Sequence, residues 1–210
     1  MQNPTGVTRC AARRRLSPLG QHMKVLSVNV ATARNTLIKG RKVLTAIAKQ
    51  PTAGSVAVQP LGLAGDEQAD LSVHGGLAKA VYAYPSEHYA FWQTVRAQAQ
   101  VALWDEPLPF GLIGENLSLQ GLLETDLWIG DQLQLPGCTL AVSEPRFPCF
   151  KFNAAMGFNQ ATKLMVQSGF CGSYLAVLAP GVVQAGDPVT LVAGPREVNL
   201  RALFLARARS

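Results

Sequence analysis

Acidic residues are missing from the first 65 positions of this 210-residue chain, which hold ten of its lysines and arginines. The other nine basic residues stand among all thirteen acids, so the net charge of +6 belongs to the front and the body is mildly acidic. No aromatic-rich basic strand accompanies that front, which leaves a nucleic-acid-binding barrel without its stacking platform. Charge is scarce overall, at 15% against 48% hydrophobic residues. Such a composition excludes a disordered tail, a collagen and a coiled coil, and the length suffices for one sizeable core. No apolar run approaches the roughly 20 residues that cross a bilayer, so neither nucleic acid nor membrane is an expected partner. The four cysteines contain no C-x-x-C pair. They form neither a disulfide framework nor a zinc ribbon, and they point to a reducing, cytoplasmic setting. Histidine is scarcer still: His74 and His88 alone lie in the body, without the H-x-H or H-E-x-x-H spacing of a histidine metal centre. G-x-S-x-G and Walker loops are absent, which excludes the common serine-hydrolase and P-loop chemistries.

Residues 1–22 lack hydrophobic periodicity and read as a disordered or wrongly annotated extension, with Met23 as an alternative start. Arg13-Arg14-Arg15 is not followed by the apolar stretch that a twin-arginine export signal needs. Alternating runs predict strands over 24–31, 54–59, 79–84, 131–135, 139–143, 174–178 and 187–192. Gly130-Asp131 and Gly186-Asp187 each launch one of them, a barrel-hairpin feature. Helices are predicted over 86–100, 159–167 with Gly169 as its stop, and 200–208. The pattern is a β-rich α+β single domain with a few peripheral helices, because no regular βαβ alternation appears.

Three clusters are candidates for chemistry. In Ser143-Glu144-Pro145-Arg146-Phe147-Pro148-Cys149-Phe150-Lys151, two prolines stiffen the approach to a thiol flanked by two cations. Positive charge favours the thiolate, the nucleophilic and soft-metal-binding form, and also attracts an anionic cofactor, or else Cys149 is a small buried apolar cysteine. Cys138 and Cys171 sit in apolar context and read as core residues. The second cluster, Gly65-Asp66-Glu67-Gln68 with Val73-His74-Gly75-Gly76 and Lys79, offers backbone amides and a cation to an oxyanion, or else marks a simple turn. In the third, Gly114-Glu115-Asn116-Leu117, Glu115 and Asn116 either orient a polar ligand or satisfy their own backbone.

Taken in order, Gly-Leu-Ala-Gly-Asp-Glu-Gln at 62–68, Val-His-Gly-Gly at 73–76, Tyr-Pro-Ser-Glu-His-Tyr at 84–89, Gly-Glu-Asn-Leu at 114–117 and the run ending Pro-Cys-Phe-Lys at 151 resemble the MOSC domain. Within that family they resemble the stand-alone bacterial proteins of the YiiM type. The resemblance spans 23–192 and implies a single β-barrel-like domain over 23–198, its core at about 45–192. It also implies a molybdenum cofactor held by Cys149 as the protein sulfur on the metal. Arg146, Lys151, Lys79, Gly75, Gly76, Asn116 and Asp66 are then the cofactor-binding candidates, with His74 and Glu115 in proton delivery. Similar proteins reduce N-hydroxylated compounds such as 6-N-hydroxylaminopurine to amines. Electrons would come from a separate reductase, because the chain has no iron–sulfur cysteine cluster and no dinucleotide fingerprint. The alternative is a non-catalytic carrier of persulfide sulfur or of the cofactor, served in trans because the chain has no pyridoxal-phosphate domain. Proteins of the YiiM type continue into a three-helix extension, and 199–210 matches a truncated remnant of it. Its apolar Leu203, Phe204 and Leu205 are expected to pack on the barrel or across a homodimer.

Overall fold

The computed structural model describes residues 23–69 and 75–208. The N-terminal segment with Cys10 and His22, and the motif residue His74, lie outside the described residues. Strand β1 (Lys24–Val30) is followed by a hairpin of β2 (Arg34–Ile38) and β3 (Arg41–Thr45), then by β4 (Gln50–Pro51), β5 (Val56–Gln59) and β6 (Gly62–Leu63). Next come β7 (Val81–Pro85), helix α1 (Tyr89–Gln98), β8 (Leu117–Gln120), β9 (Gln132–Gln134) and β10 (Thr139–Pro145). Helices α2 (Phe150–Met156) and α3 (Ala161–Ser168) precede β11 (Ser173–Ala179), β12 (Gly181–Val183), β13 (Thr190–Val192) and helix α4 (Leu200–Arg207).

Eight strands form one mixed sheet in the order β13-β9-β10-β11-β7-β8-β1-β4. All its neighbours are antiparallel except β7 and β8, whose parallel pairing requires the crossover that α1 supplies. The sheet curls back on itself. Asp187 and Met23 carbonyls accept from Val25 and Val189 amides at 2.9 Å each, and Gly186 donates to the Val25 carbonyl at 2.8 Å, joining the approach to β13 onto β1. Both Gly-Asp turns have one local design: Asp131 accepts from the Trp128 amide and Asp187 from the Gln184 amide, each three residues back.

Alternation along the central β7 shows how the sheet divides the interior. Val81 and Ala83 enter an aliphatic core inside the curl with Val25, Leu133, Leu140 and Leu175. Tyr82 and Tyr84, pointing the other way, enter an aromatic core under the helices with Trp92, Phe152 and Phe204. Burial of each large side chain there contributes roughly 1.5–3 kcal/mol, and edge-to-face contact of Trp92 with Phe152, centroids 5.3 Å apart, adds geometric specificity. The Tyr84–Tyr89 motif is used here too: Trp92 Nε1 donates to the Tyr84 hydroxyl at 2.6 Å, and His88 pairs with Glu124 at 2.7 Å while stacking on Phe170.

Helix α4 buries Phe204 of its apolar face and leaves Leu203 and Leu205 half-buried. Asn199 caps it by accepting from the Ala202 amide, and Phe204, fully buried, stacks on Phe147 with centroids 5.1 Å apart. The terminal helix therefore packs on the sheet domain and braces the loop that carries Cys149. Among the described residues no helix is long and apolar enough to cross a membrane.

Candidate functional site

Strand β10 ends at Pro145 and delivers Arg146 into the boundary between the two cores. Only 5% of Arg146 is exposed. Its guanidinium lies 4.8 Å from the Tyr82 ring centre and 5.3 Å from that of Phe152. No carboxylate among the described residues pairs with it, and its buried Nη1 has no hydrogen-bond partner there. Burial works against its charge, but Tyr82, Tyr174 and Cys149 around it favour that charge and hold its pKa above the ordinary arginine value. Two residues on, Pro148 leads to Cys149, half-buried and reduced, whose carbonyl accepts from the Phe152 amide as α2 begins. From the first turn of that helix, Lys151 Nζ donates to the Leu44 carbonyl at 3.0 Å and ties α2 to the β2–β3 hairpin.

The facing wall is a lattice built on Asp66. One of its oxygens accepts from the Ala31 amide at 2.8 Å and from Lys49 Nζ, and the other from Asn116 Nδ2 at 2.9 Å. Asn116 also accepts from the Tyr82 amide and donates to the Asn29 carbonyl, so it stitches β1 to β7. Lys49 reaches this position because Gly111 lets two backbones meet. A Cβ there would lie 2.5 Å from the Lys49 carbonyl oxygen, and its φ of +83° favours glycine. Burial lowers the Lys49 pKa although Asp66 supports the charge. Gln68 closes the rim by accepting from the Gly76 amide at 3.0 Å and donating to the Lys79 carbonyl.

Between these walls lies a cleft of about 630 Å³, open to solvent. Four cations line it, Lys49, Lys79, Arg146 and Lys151, against the carboxylates Asp66 and Glu67. Lys79 pairs with Glu144 at 3.8 Å and Lys49 with Asp66, which leaves Arg146 as the buried charge without a counter-ion among the described residues. Such a place suits an anion beside a thiol.

A MOSC domain model matches residues 70–190, more than half of the chain. The chain belongs to the MOSC domain family. It is 38% identical to the protein YiiM of Escherichia coli (strain K12) over 157 residues, 75% of this chain and 68% of that one. A protein named "Reductase" from Gibberella moniliformis is 35% identical over 157 residues, 74% of this chain but 27% of that much longer one. Among solved structures, YiiM from Geobacillus stearothermophilus superimposes with a TM-score of 0.70 at 31% identity, covering 89% of this chain and 84% of that one.

This MOSC domain brings together most of the residues singled out from its sequence. Cys149, Arg146, Lys151, Lys79, Asn116 and Asp66 all line one cleft. Gly75 and Gly76 do not line it, and the Gly76 amide, expected to be free for an oxyanion, is taken by Gln68. Lys49, Tyr82 and Tyr174 line the cleft without having been singled out. Lys49 lies in no motif, and the two tyrosines look like ordinary strand positions. Cys138 and Cys171 are buried, as expected of core thiols; burial, with Asp187 beside it, pushes Cys138 up to about 11, and Cys171 is also raised by burial.

Glu115 is placed differently from its expected role. It is fully buried, outside the cleft lining, and one oxygen accepts from the Tyr89 hydroxyl, from the Gly111 amide at 2.7 Å and from the Ser118 hydroxyl at 3.0 Å. The other oxygen has no partner among the described residues. Burial raises its pKa, and the hydrogen bonds from Tyr89, Gly111 and Ser118 only partly offset this. A carboxyl raised on folding contributes stability that is complete below its unfolded pKa and is lost as pH rises through its folded one. Glu115→Gln keeps the accepting oxygen and removes the titration. Its stability relative to wild type should therefore improve between pH 4 and pH 8 in denaturant unfolding; a difference constant with pH would contradict a raised Glu115.

Proposed function

We propose that the cleft holds the molybdenum cofactor, with Cys149 Sγ as the protein ligand of the metal, and that the chain reduces N-hydroxylated compounds to amines. The observation that carries this reading is Arg146, a buried guanidinium with no carboxylate counter-ion among the described residues, lining the same cleft as a half-buried thiol. The residues fit the group. A pterin with a phosphate and a dithiolene is anionic, and Arg146, Lys79 and Lys151 offer cations where Asp66 and Asn116 hold the facing wall in place. No three His, Cys, Asp or Glu side chains converge on a metal position among the described residues. A soft metal bound beside Cys149 would take its further sulfur ligands from the dithiolene.

The cofactor, when bound, supplies a metal centre that passes electron pairs to an N–O bond. The reaction takes R–NH–OH, two electrons and two protons to R–NH2 and water. With Glu115 enclosed in the core, the cleft group among the described residues suited to protonate the departing hydroxyl is Lys49. Its ammonium keeps donor hydrogens beyond the bond to Asp66, and burial lowers its pKa. The electrons come from a separate reductase, and the fungal relative called a reductase supports oxidoreductase chemistry at the level of that whole protein.

The test is turnover of 6-N-hydroxylaminopurine by protein loaded with the cofactor, reduced methyl viologen serving as donor. Adenine should form, and Cys149→Ser should abolish it. Loaded protein that forms no adenine, but gains one sulfur on Cys149 after incubation with a cysteine desulfurase, would instead favour a sulfur carrier.

A further inference from the structure

A second cleft of about 1060 Å³ opens between the β2–β3 hairpin and α2. It abuts the first, because Thr45, Ala46, Ile47 and Lys151 line both. Its wall is about equally polar and apolar, with alanines at 31, 46, 48, 154 and 155 leaving width beside the threonines 32, 36 and 45. Among the described residues its charged lining consists of Arg34 and Lys151, with no carboxylate. Arg34 is exposed and has no ion-pair partner among the described residues. The neighbouring cleft adds Lys49, Lys79 and Arg146, while Asp66 is committed to Lys49 and Glu67 accepts from the Ala33 amide at 2.7 Å.

We propose that this second cleft receives the N-hydroxylated substrate and selects apolar-bodied molecules that are neutral or anionic over cationic ones. The proposal rests on the reading of the first cleft as the reaction site and deepens it by naming the substrate class. The alanine-lined part of the wall takes up the body of the molecule through burial of its surface. The charge rule is electrostatic. A cation entering the second cleft meets Arg34 and Lys151 and gives up hydration without gaining a counter-ion there, whereas an anion is drawn to both.

Three molecules of one shape isolate the charge: benzoate, benzamide and the benzamidinium ion, titrated calorimetrically at low salt into protein expressed in a host that makes the cofactor. Benzoate should bind tightest and benzamidinium weakest, with at least about a tenfold ratio between them. Arg34→Gln should shrink that ratio. Ala154→Trp, at an exposed position on the wall, should weaken all three while the molybdenum content stays at the wild-type level. Equal affinities, or undiminished binding in Ala154→Trp, would overturn the proposal. So would loss of molybdenum from Ala154→Trp, which would give the second cleft to the cofactor. Molybdenum absent from wild type, beside the same order of affinities, would overturn the reading of the first cleft while upholding charge selection in the second.

Discussion

Asp66→Ala should destabilise the protein by about 3–5 kcal/mol, because it leaves the Lys49 ammonium buried without its partner. The loss reaches beyond one ion pair. The same carboxylate accepts from the Ala31 amide and from Asn116, so removing it also frees two donors in a wall where β1, β7 and the residue 66 loop meet. Adding Lys49→Met should recover a large part of the loss, since a methionine of similar length brings no charge to solvate. Urea unfolding of the two single variants and the double variant measures this. A loss under about 1 kcal/mol for Asp66→Ala, or a double variant no better than the single one, would show that the pair does not organise the cleft.

Arg146→Met should show the opposite separation. Losing the contacts with Tyr82 and Phe152 costs about 0.5–2 kcal/mol, but the variant also ceases to bury a cation that no carboxylate among the described residues balances. The two changes offset each other, and the stability of the cofactor-free protein should stay within about 1 kcal/mol of wild type. Cofactor retention should fall by tenfold or more, the loss of one or two charge-assisted hydrogen bonds of roughly 1.5–3 kcal/mol each. Unfolding curves of cofactor-free protein beside metal analysis of purified protein separate the effects. A variant that unfolds several kcal/mol more easily yet keeps its metal would make Arg146 a core residue.

Much of the fold is legible in the sequence because its strands are short apolar-rich runs bounded by turn residues. Strand β1, with its apolar alternation, and β10 and β11 were predicted within two residues of their ends. The β2–β3 hairpin was not, since nearly every side chain on it is exposed and basic residues interrupt any alternation. Helix α2 lies outside the predicted helices: it is seven residues long and begins immediately after Pro148 and Cys149, where local signals describe a stiffened approach. In the site, the cysteine loop announced itself through two prolines and two flanking cations. Lys49 could not, because its burial comes from Gly111 and Asp66, distant in the chain, and a lysine in a basic stretch reads as solvated. Glu115 misled for the converse reason. A carboxylate between a glycine and an asparagine looks like part of an exposed turn, yet Tyr89, Gly111 and Ser118 enclose it.

The account turns on Cys149 as the sulfur on molybdenum. Elemental mass spectrometry of wild-type and Cys149→Ser protein, expressed in a host that makes the cofactor, tests it directly. Near-stoichiometric molybdenum in wild type and its loss in the variant is the predicted result. Equal metal in both, or none in either, would contradict it.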